Sequence, residues 1–198
     1  YKQAVLGSAW ALINPLLLMV VFAFFERTVA DIDTRGTPYS LFAFAGLLPW
    51  TMFSSALNLG GVSLLNNTSL LNKVRCPREV FPLASVCVAG FDALIGLGTF
   101  AGLLLLTGTM PEGTSFWVVL YLPIQLAFTV AVVLLISILV IYFRDIRHLI
   151  GPLLQVGLFL TPVAYGVDSF SDSSLPWYSL LNPLAAVIVG YRRAVLYG

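Results

Sequence analysis

The sequence has few charged residues, and they are unevenly spaced. Only 10% of its 198 residues are Asp, Glu, Lys or Arg, whereas a soluble domain has roughly 25%. Five uncharged stretches result, each about as long as the roughly 20 apolar residues that a helix needs to cross a bilayer, or longer. They are residues 3–25, 36–72, 93–111, 113–143 and 149–167. The pattern excludes a soluble globular domain and predicts an all-α integral membrane protein.

Histidine and cysteine are also scarce. His148 is the single histidine, and its position beside Arg147 at a membrane edge is typical of an interfacial residue. Cys76 and Cys87 would lie roughly 16 Å apart on a helix, too far for a disulfide. The sequence has no glycine-rich phosphate loop and no His-Glu-x-x-His motif. It therefore predicts neither an enzyme nor a metal site.

The remaining charges predict how the chain crosses the membrane. We expect five spans, at about 8–25, 39–59, 81–106, 116–142 and 149–165. Lys73, Arg75 and Arg78 follow the second span, and Arg144 and Arg147 follow the fourth. The first loop balances two arginines with three acidic residues, and the third loop has no cation. By the positive-inside rule, the N-terminus and the second and fourth loops are cytoplasmic.

The segment after the fifth span, 168–198, lacks an apolar run long enough to cross. Asn182 and Pro183 interrupt it, while Trp177 and Tyr178 suit an aromatic belt at headgroup level. Irregular backbone at membrane depth is tolerated only against protein or a water-filled cavity. The segment is interpreted as an external re-entrant or interfacial helical hairpin, with a loose external loop as the alternative.

Two sets of charges stand out against this topology. Asp92 lies within the third span, where a carboxylate is costly and is a functional candidate by default. Because a proton-coupled carrier would show several such groups, a packing or hydrogen-bonding role is favoured. Arg192 and Arg193 lie on the side where the positive-inside rule disfavours them. We expect headgroups, carboxylates or helix C-termini to satisfy them.

The second loop is a compact basic segment with a proline at the entrance of the third span. Lys73, Arg75, Arg78 and Glu79 precede Pro82. Proline suits a first helical turn, and Glu79 would lie favourably near that helix N-terminus. One interpretation is a topology signal at the headgroups. The other is a rigid cytoplasmic protrusion that docks into a partner.

Four segments together resemble ABC-2-type permeases, in the branch that exports O-antigen, teichoic acid and capsular polysaccharides. They are residues 1–15, 72–82, 143–165 and 182–194, and they follow the order found in that branch. One departure is Ser8, where the branch often has proline. The resemblance favours the docking interpretation of Lys73, Arg75, Arg78 and Glu79.

The resemblance implies a single transmembrane permease domain over 1–198, with five of an expected six spans. We expect a fragment that lacks a short N-terminal interface segment and the last span. Such permeases lie in the cytoplasmic, or inner, membrane and pair as homodimers. They bind two separate ATPase subunits, which hold ATP and Mg, so no cofactor is expected in this chain. No nucleic-acid partner is expected.

The implied substrate is a lipid-linked polysaccharide, and the hairpin residues Trp177, Tyr178, Asn182 and Pro183 would narrow an external gate. Sugar rings stack on aromatic side chains, so aromatic residues in or near the spans are candidate substrate contacts. These are Phe22, Phe25, Phe42, Phe53, Phe159 and Tyr165. The alternatives are an ABC-2 exporter of a drug or small lipid, an ion-coupled secondary carrier and an intramembrane enzyme. Inverted repeats and several buried charges would favour the carrier, and a catalytic pair in the membrane would favour the enzyme.

Overall fold

The computed structural model describes residues 37–71, 73, 76–108, 116–163 and 182–197, with six helical residues between 13 and 24. All regular elements within these residues are helical. They are α1 Tyr39–Gly60, α2 Ser63–Asn66, α3 Thr68–Leu71, α4 Val80–Thr107, α5 Val118–Tyr142, α6 Ile146–Leu160 and α7 Pro183–Arg192. A π-helical turn, Arg193–Tyr197, prolongs α7. The predicted all-α fold is confirmed.

Within the described ranges, three helical segments are long and apolar enough to cross a membrane. They are Tyr39–Asn66, Val80–Thr107 and Val118–Tyr142. These segments correspond to the predicted second, third and fourth spans. The first predicted span, 8–25, lies mostly outside the described residues, and the number of spans stays a prediction.

Helix α6 ends earlier than the sequence indicated. We expected the fifth span to reach Tyr165, but the helix stops at Leu160. Thr161 is already extended, at φ −94° and ψ 138°, because the ring of Pro162 disfavours helical backbone in the residue before it. The 15 residues of α6 span about 22 Å, less than a bilayer core of about 30 Å.

Helix α1 is the centre of the bundle. In the most apolar part of the segment Tyr39–Asn66, 78% of the residues are buried, against 22% for the corresponding part of α4 and 28% for that of α5. Helices α4, α5, α6 and α7 all pack against it. Apolar residues cover its whole circumference, which is the pattern of a helix enclosed by protein. Helices α4 and α5 instead expose broad apolar faces, as lipid or a further protein surface would require.

The long helices alternate in direction. Phe44, near the start of α1, stacks on Phe100, near the end of α4, with ring centroids 5.6 Å apart. Gly157, near the end of α6, lies under the ring of Trp50. Helix α4 therefore runs antiparallel to α1. Helix α6 does so too, because Gly61, just after α1, contacts Ile150 near the start of α6. Helix α5 runs parallel to α1, because Gln125 contacts Pro49 and Val133, further along α5, contacts Gly60 at the end of α1. The start of α1 and the end of α6 thus share one end of the bundle. The loop before α4 lies at the other.

Candidate functional site at the start of α1 and the end of α6

Helix α7 begins with a side-chain cap that also ties it to α6. Asn182 is the N-cap residue and Pro183 occupies the first helical position, the arrangement expected for a helix start. The Ala185 N–H donates to Asn182 Oδ1 at 3.3 Å. Asn182 Nδ2 donates to Thr161 Oγ1 at 3.0 Å, and Thr161 is buried. One side chain thus starts α7 and holds it to the end of α6.

The turn that follows α6, Thr161–Val163, supplies backbone acceptors. Thr161 is the C-cap residue of α6 and is extended, and Pro162 has no N–H with which to continue the helix. The carbonyls of Pro162 and Val163 follow in non-helical backbone, and both accept from a donor elsewhere in the chain.

Arg192 is that donor. It is the last residue of α7 and is only 3% exposed. Its Nη1 donates to the Pro162 carbonyl at 2.7 Å, and its Nη2 donates to the Val163 carbonyl. Its Nε donates to the Phe42 carbonyl in the first turn of α1 at 3.1 Å. A single guanidinium therefore joins α7, the end of α6 and the start of α1.

The face of an aromatic ring and a glycine make room for this guanidinium. Arg192 Cζ lies 3.7 Å from the centroid of the Phe42 ring, a cation–π geometry. A Cβ at Gly46 would lie 2.5 Å from Arg192 Nη2 and 2.9 Å from the Val163 carbonyl oxygen. Since a side chain at position 46 would displace the guanidinium, glycine is required there. We call Arg192, Phe42, Gly46, Pro162 and Val163 the arginine clamp.

Helix α7 also fits closely against α5. A Cβ at Gly190 would collide with the Tyr121 ring, and the rings of Tyr121 and Tyr191 lie 6.3 Å apart. Side chains on a helix tilt towards its N-terminus. Arg192 therefore reaches back along α7 to the turn that Asn182 also contacts. The two contacts hold α7 to this turn from both of its ends.

The residues predicted to dock a partner lie at the opposite end of the bundle. Lys73, Arg78 and Glu79 are exposed. Glu79 is the N-cap residue of α4 and Pro82 lies in the first turn, as the sequence indicated. Arg75 lies outside the described residues. The segment is thus an accessible surface joined directly to a 28-residue helix.

The predicted gate residues are only partly described. Asn182 and Pro183 begin α7, whereas Trp177 and Tyr178 lie outside the described residues. The backbone break that the sequence indicated at Asn182 is thus the start of a helix.

The candidate substrate aromatics do not form one surface. Phe42 is buried beneath Arg192, so its ring is closed to a substrate in this arrangement. Phe53 stacks on Phe128 in a separate cluster, with centroids 5.7 Å apart. Phe159 is 69% exposed on α6. The remaining candidates, Phe22, Phe25 and Tyr165, lie outside the described residues. A substrate role for each of the six stays a prediction.

Sequence reasoning missed two buried polar contacts. It expected headgroups, carboxylates or helix C-termini around Arg192, whereas the side chain is buried and donates to backbone carbonyls in the first turn of α1 and in the turn after α6. The expectation that a helix C-terminus would satisfy the arginines is close to the contact of Arg192 with the turn after α6. Arg193, the neighbouring arginine, is exposed.

Gln125 was not singled out, yet it is 1% exposed and its Nε2 donates to the Pro49 carbonyl at 2.8 Å. Its position as the one amide within a long apolar run was the available signal.

Asp92, the carboxylate predicted to be intramembrane, is half-buried on α4. Its packing or hydrogen-bonding role stays a prediction.

Long apolar helices that bury one another along α1 and expose apolar side chains elsewhere define a multi-pass membrane protein. The sequence model of the ABC-2 type transporter family matches residues 1–196. The chain therefore belongs to the ABC-2 type transporter family, and the resemblance found in the sequence is confirmed.

Curated relatives match over almost the whole chain. The O-antigen export system permease protein RfbA of Myxococcus xanthus is 31% identical over 202 residues, which cover 100% of this chain and 75% of the relative. A protein of the same name from Klebsiella pneumoniae is 28% identical, with 100% and 76% covered. The polysialic acid transport protein KpsM of Escherichia coli is 26% identical, with 98% and 75% covered.

Proposed function

We propose that the chain is the transmembrane subunit of an ATP-driven ABC transporter that exports a lipid-linked polysaccharide across the cytoplasmic membrane. The observation that carries the proposal is the match along the whole chain to permeases named for O-antigen export and polysialic acid transport. Two differently named polysaccharides among these relatives favour the general class over one particular glycan. ATP hydrolysis belongs to a separate subunit in this proposal.

The exposed segment around Lys73, Arg78 and Glu79 is the proposed docking surface for the ATPase. A protrusion transmits force only if it is joined to a rigid element. Glu79 directly precedes the first residue of α4, and α4 packs along α1. Displacement of Glu79 by the ATPase would therefore move α4 against α1, the most buried helix of the bundle. Such a movement would link ATP binding by the partner to a second conformation of this chain.

The proposed orientation places this docking surface in the cytoplasm and the arginine clamp outside. The positive charges within the second and fourth loops support it. The directions of α1, α4 and α6 place the clamp and the docking surface at opposite ends of the bundle. In this proposal α7 belongs to an external hairpin, and two copies of the chain enclose the path of the glycan. The exposed apolar faces of α4 and α5 provide surface for lipid and for a second copy.

Deletion of the gene in its own organism tests the proposal. The surface polysaccharide should disappear while its lipid-linked precursor accumulates in the cytoplasm, and the wild-type gene should restore export. Normal surface polysaccharide combined with sensitivity to a small toxic compound would contradict the proposal and favour a drug exporter.

Charge reversal at the docking surface tests the coupling. Arg78→Glu should weaken binding of the ATPase subunit roughly tenfold, the size expected for a charge opposed across an interface, and should lower export. Arg144→Glu is the matched control, since Arg144 is likewise exposed in the loop between α5 and α6. Membrane insertion should be unchanged in both variants. Equal export from wild type and Arg78→Glu would assign this segment to topology alone.

A further inference from the structure

The geometry points to Arg192 as a positioning residue of the export pathway. We infer that its guanidinium holds α7 closed against the start of α1 and the end of α6, and that opening of this end of the bundle requires its release. The role of Arg192 in export rests on the proposed function. The contacts of the arginine clamp do not, because all of them lie within this chain.

The first step of the argument is that one side chain joins three separate parts of the chain. Arg192 contacts Phe42, which is 150 residues away in sequence, and the Pro162 and Val163 carbonyls, which are 30 and 29 residues away. Guanidinium is planar and presents five donors in a fixed fork, so it can serve several acceptors at once. Lysine has a compact ammonium and cannot reproduce this arrangement.

The second step is that the surroundings are shaped for the charged group. Phe42 presents its ring face to the guanidinium, and the missing side chain at Gly46 leaves space for Nη2. An apolar residue at position 192 would need neither feature. Burial of an arginine is costly compared with a packed apolar side chain, so packing alone does not account for it.

The third step concerns what such a contact does that an apolar contact does not. A charged hydrogen bond is strong in a dry, low-dielectric site and weak once water enters. The clamp therefore stabilises the closed arrangement while that end is dry, and loses strength when water or a sugar chain arrives. This behaviour suits a contact that must hold α7 between transport events and release it during them.

The test measures how fast a buried cysteine on α1 reacts with a small water-soluble maleimide, in the full-length chain with Cys76 and Cys87 replaced by serine. The reporter is Ala43→Cys, because Ala43 is fully buried in the cluster that contains Val195 and Leu196. Ala56→Cys, fully buried further along α1, is the control reporter.

Arg192→Met should raise the labelling rate at position 43 by roughly tenfold or more, the change expected when at least one charged hydrogen bond is lost. The rate at position 56 should not change. Arg193→Met is the matched control, because Arg193 is adjacent but exposed, and it should change neither rate. Equal rates in wild type and Arg192→Met would overturn the inference.

A second variant keeps the charge and covers the case in which Arg192→Met does not fold. Gly46→Ala places a methyl group where the guanidinium lies and should raise labelling at position 43 in the same way. The double variant Gly46→Ala with Arg192→Met should label more slowly than the product of the two single increases, because without the guanidinium the new methyl group meets only the Val163 carbonyl oxygen, 2.9 Å away. Wild-type labelling in Gly46→Ala, or independent increases that multiply in the double variant, would contradict a shared contact.

Trapping the partner ATPase with ATP separates a positioning role from a merely structural one. In the wild-type complex ATP should raise labelling at position 43. In Arg192→Met the resting and trapped rates should converge, since the contact that opposes opening is absent. A structural defect would instead raise both rates by the same factor, and that result would overturn the inference. The comparison at rest needs no ATPase or glycan. Suppose that ATP does not raise labelling at position 43 in the wild type, while Arg192→Met still labels faster than the wild type without ATP. That result would count against the proposed function and not against the arginine clamp.

Discussion

The capping contact of Asn182 gives a prediction whose size follows from two hydrogen bonds. Asn182→Ala removes the N-cap of α7, worth about 1 kcal/mol. It also removes the donor to the Thr161 hydroxyl, which lies in a buried position and costs about another 1 kcal/mol when it loses that partner. The free energy of local opening of α7 should therefore decrease by about 2 kcal/mol in total, because both bonds hold its first turn.

Amide hydrogen exchange of α7, followed by mass spectrometry, measures this opening. A loss of about 2 kcal/mol corresponds to exchange about 30-fold faster. Asn182→Ser is the graded control, because serine keeps a cap but is too short to reach Thr161. It should accelerate exchange only about fivefold, for a loss of about 1 kcal/mol.

A double-mutant cycle closes the argument. Thr161→Val removes the hydroxyl, so Asn182→Ala in that background should cost only the cap, about 1 kcal/mol. Identical exchange in Asn182→Ala and wild type would refute the reasoning. Full additivity of the two substitutions would refute the claimed bond between them.

Three further predictions concern other contacts. Gln125→Leu should destabilise the bundle by about 1 kcal/mol, the size of one hydrogen bond between membrane helices, as a lower thermal midpoint in detergent; an unchanged midpoint would contradict it. Gly190→Ala should displace α7 from α5 and accelerate its amide exchange, with partial recovery when Tyr121→Ala relieves the collision. Gly98→Ala is the control, since a Cβ there meets open space. In intact cells, Lys73→Cys should not react with a membrane-impermeant thiol reagent, whereas a cysteine in the predicted first external loop should react. The reverse pattern would contradict the predicted topology.

Much of the fold could be predicted because it follows from a local property. Helices form where the chain is uncharged for long enough to cross a bilayer, since a membrane requires backbone hydrogen bonds to be satisfied within each segment. This reasoning located α1, α4 and α5 within two residues at each end. It failed at the end of α6, where the effect of Pro162 on the backbone of Thr161 outweighed the continuing apolar run.

The candidate site could be predicted only in part, because its contacts join distant positions in sequence. Asn182 and Pro183 were singled out in the sequence as a backbone break, whereas the structure shows that they begin α7 as its N-cap and first helical residue. The burial of Arg192 could not be predicted, since its acceptors lie 29 to 150 residues away and belong to the backbone. Nor does the sequence around Gly46 distinguish a glycine that admits a guanidinium from one of the many that occur in membrane helices.

Reconstitution of this chain with its ATPase subunit in lipid vesicles tests the export proposal most directly. Vesicles would carry the lipid-linked polysaccharide in the leaflet that faces the ATPase, and an enzyme that degrades the glycan would be confined to the opposite side. The account predicts ATP-dependent degradation of the glycan, reduced by Arg78→Glu at the docking surface. Glycan that stays protected while the same vesicles move a small lipid or a drug in response to ATP would contradict it.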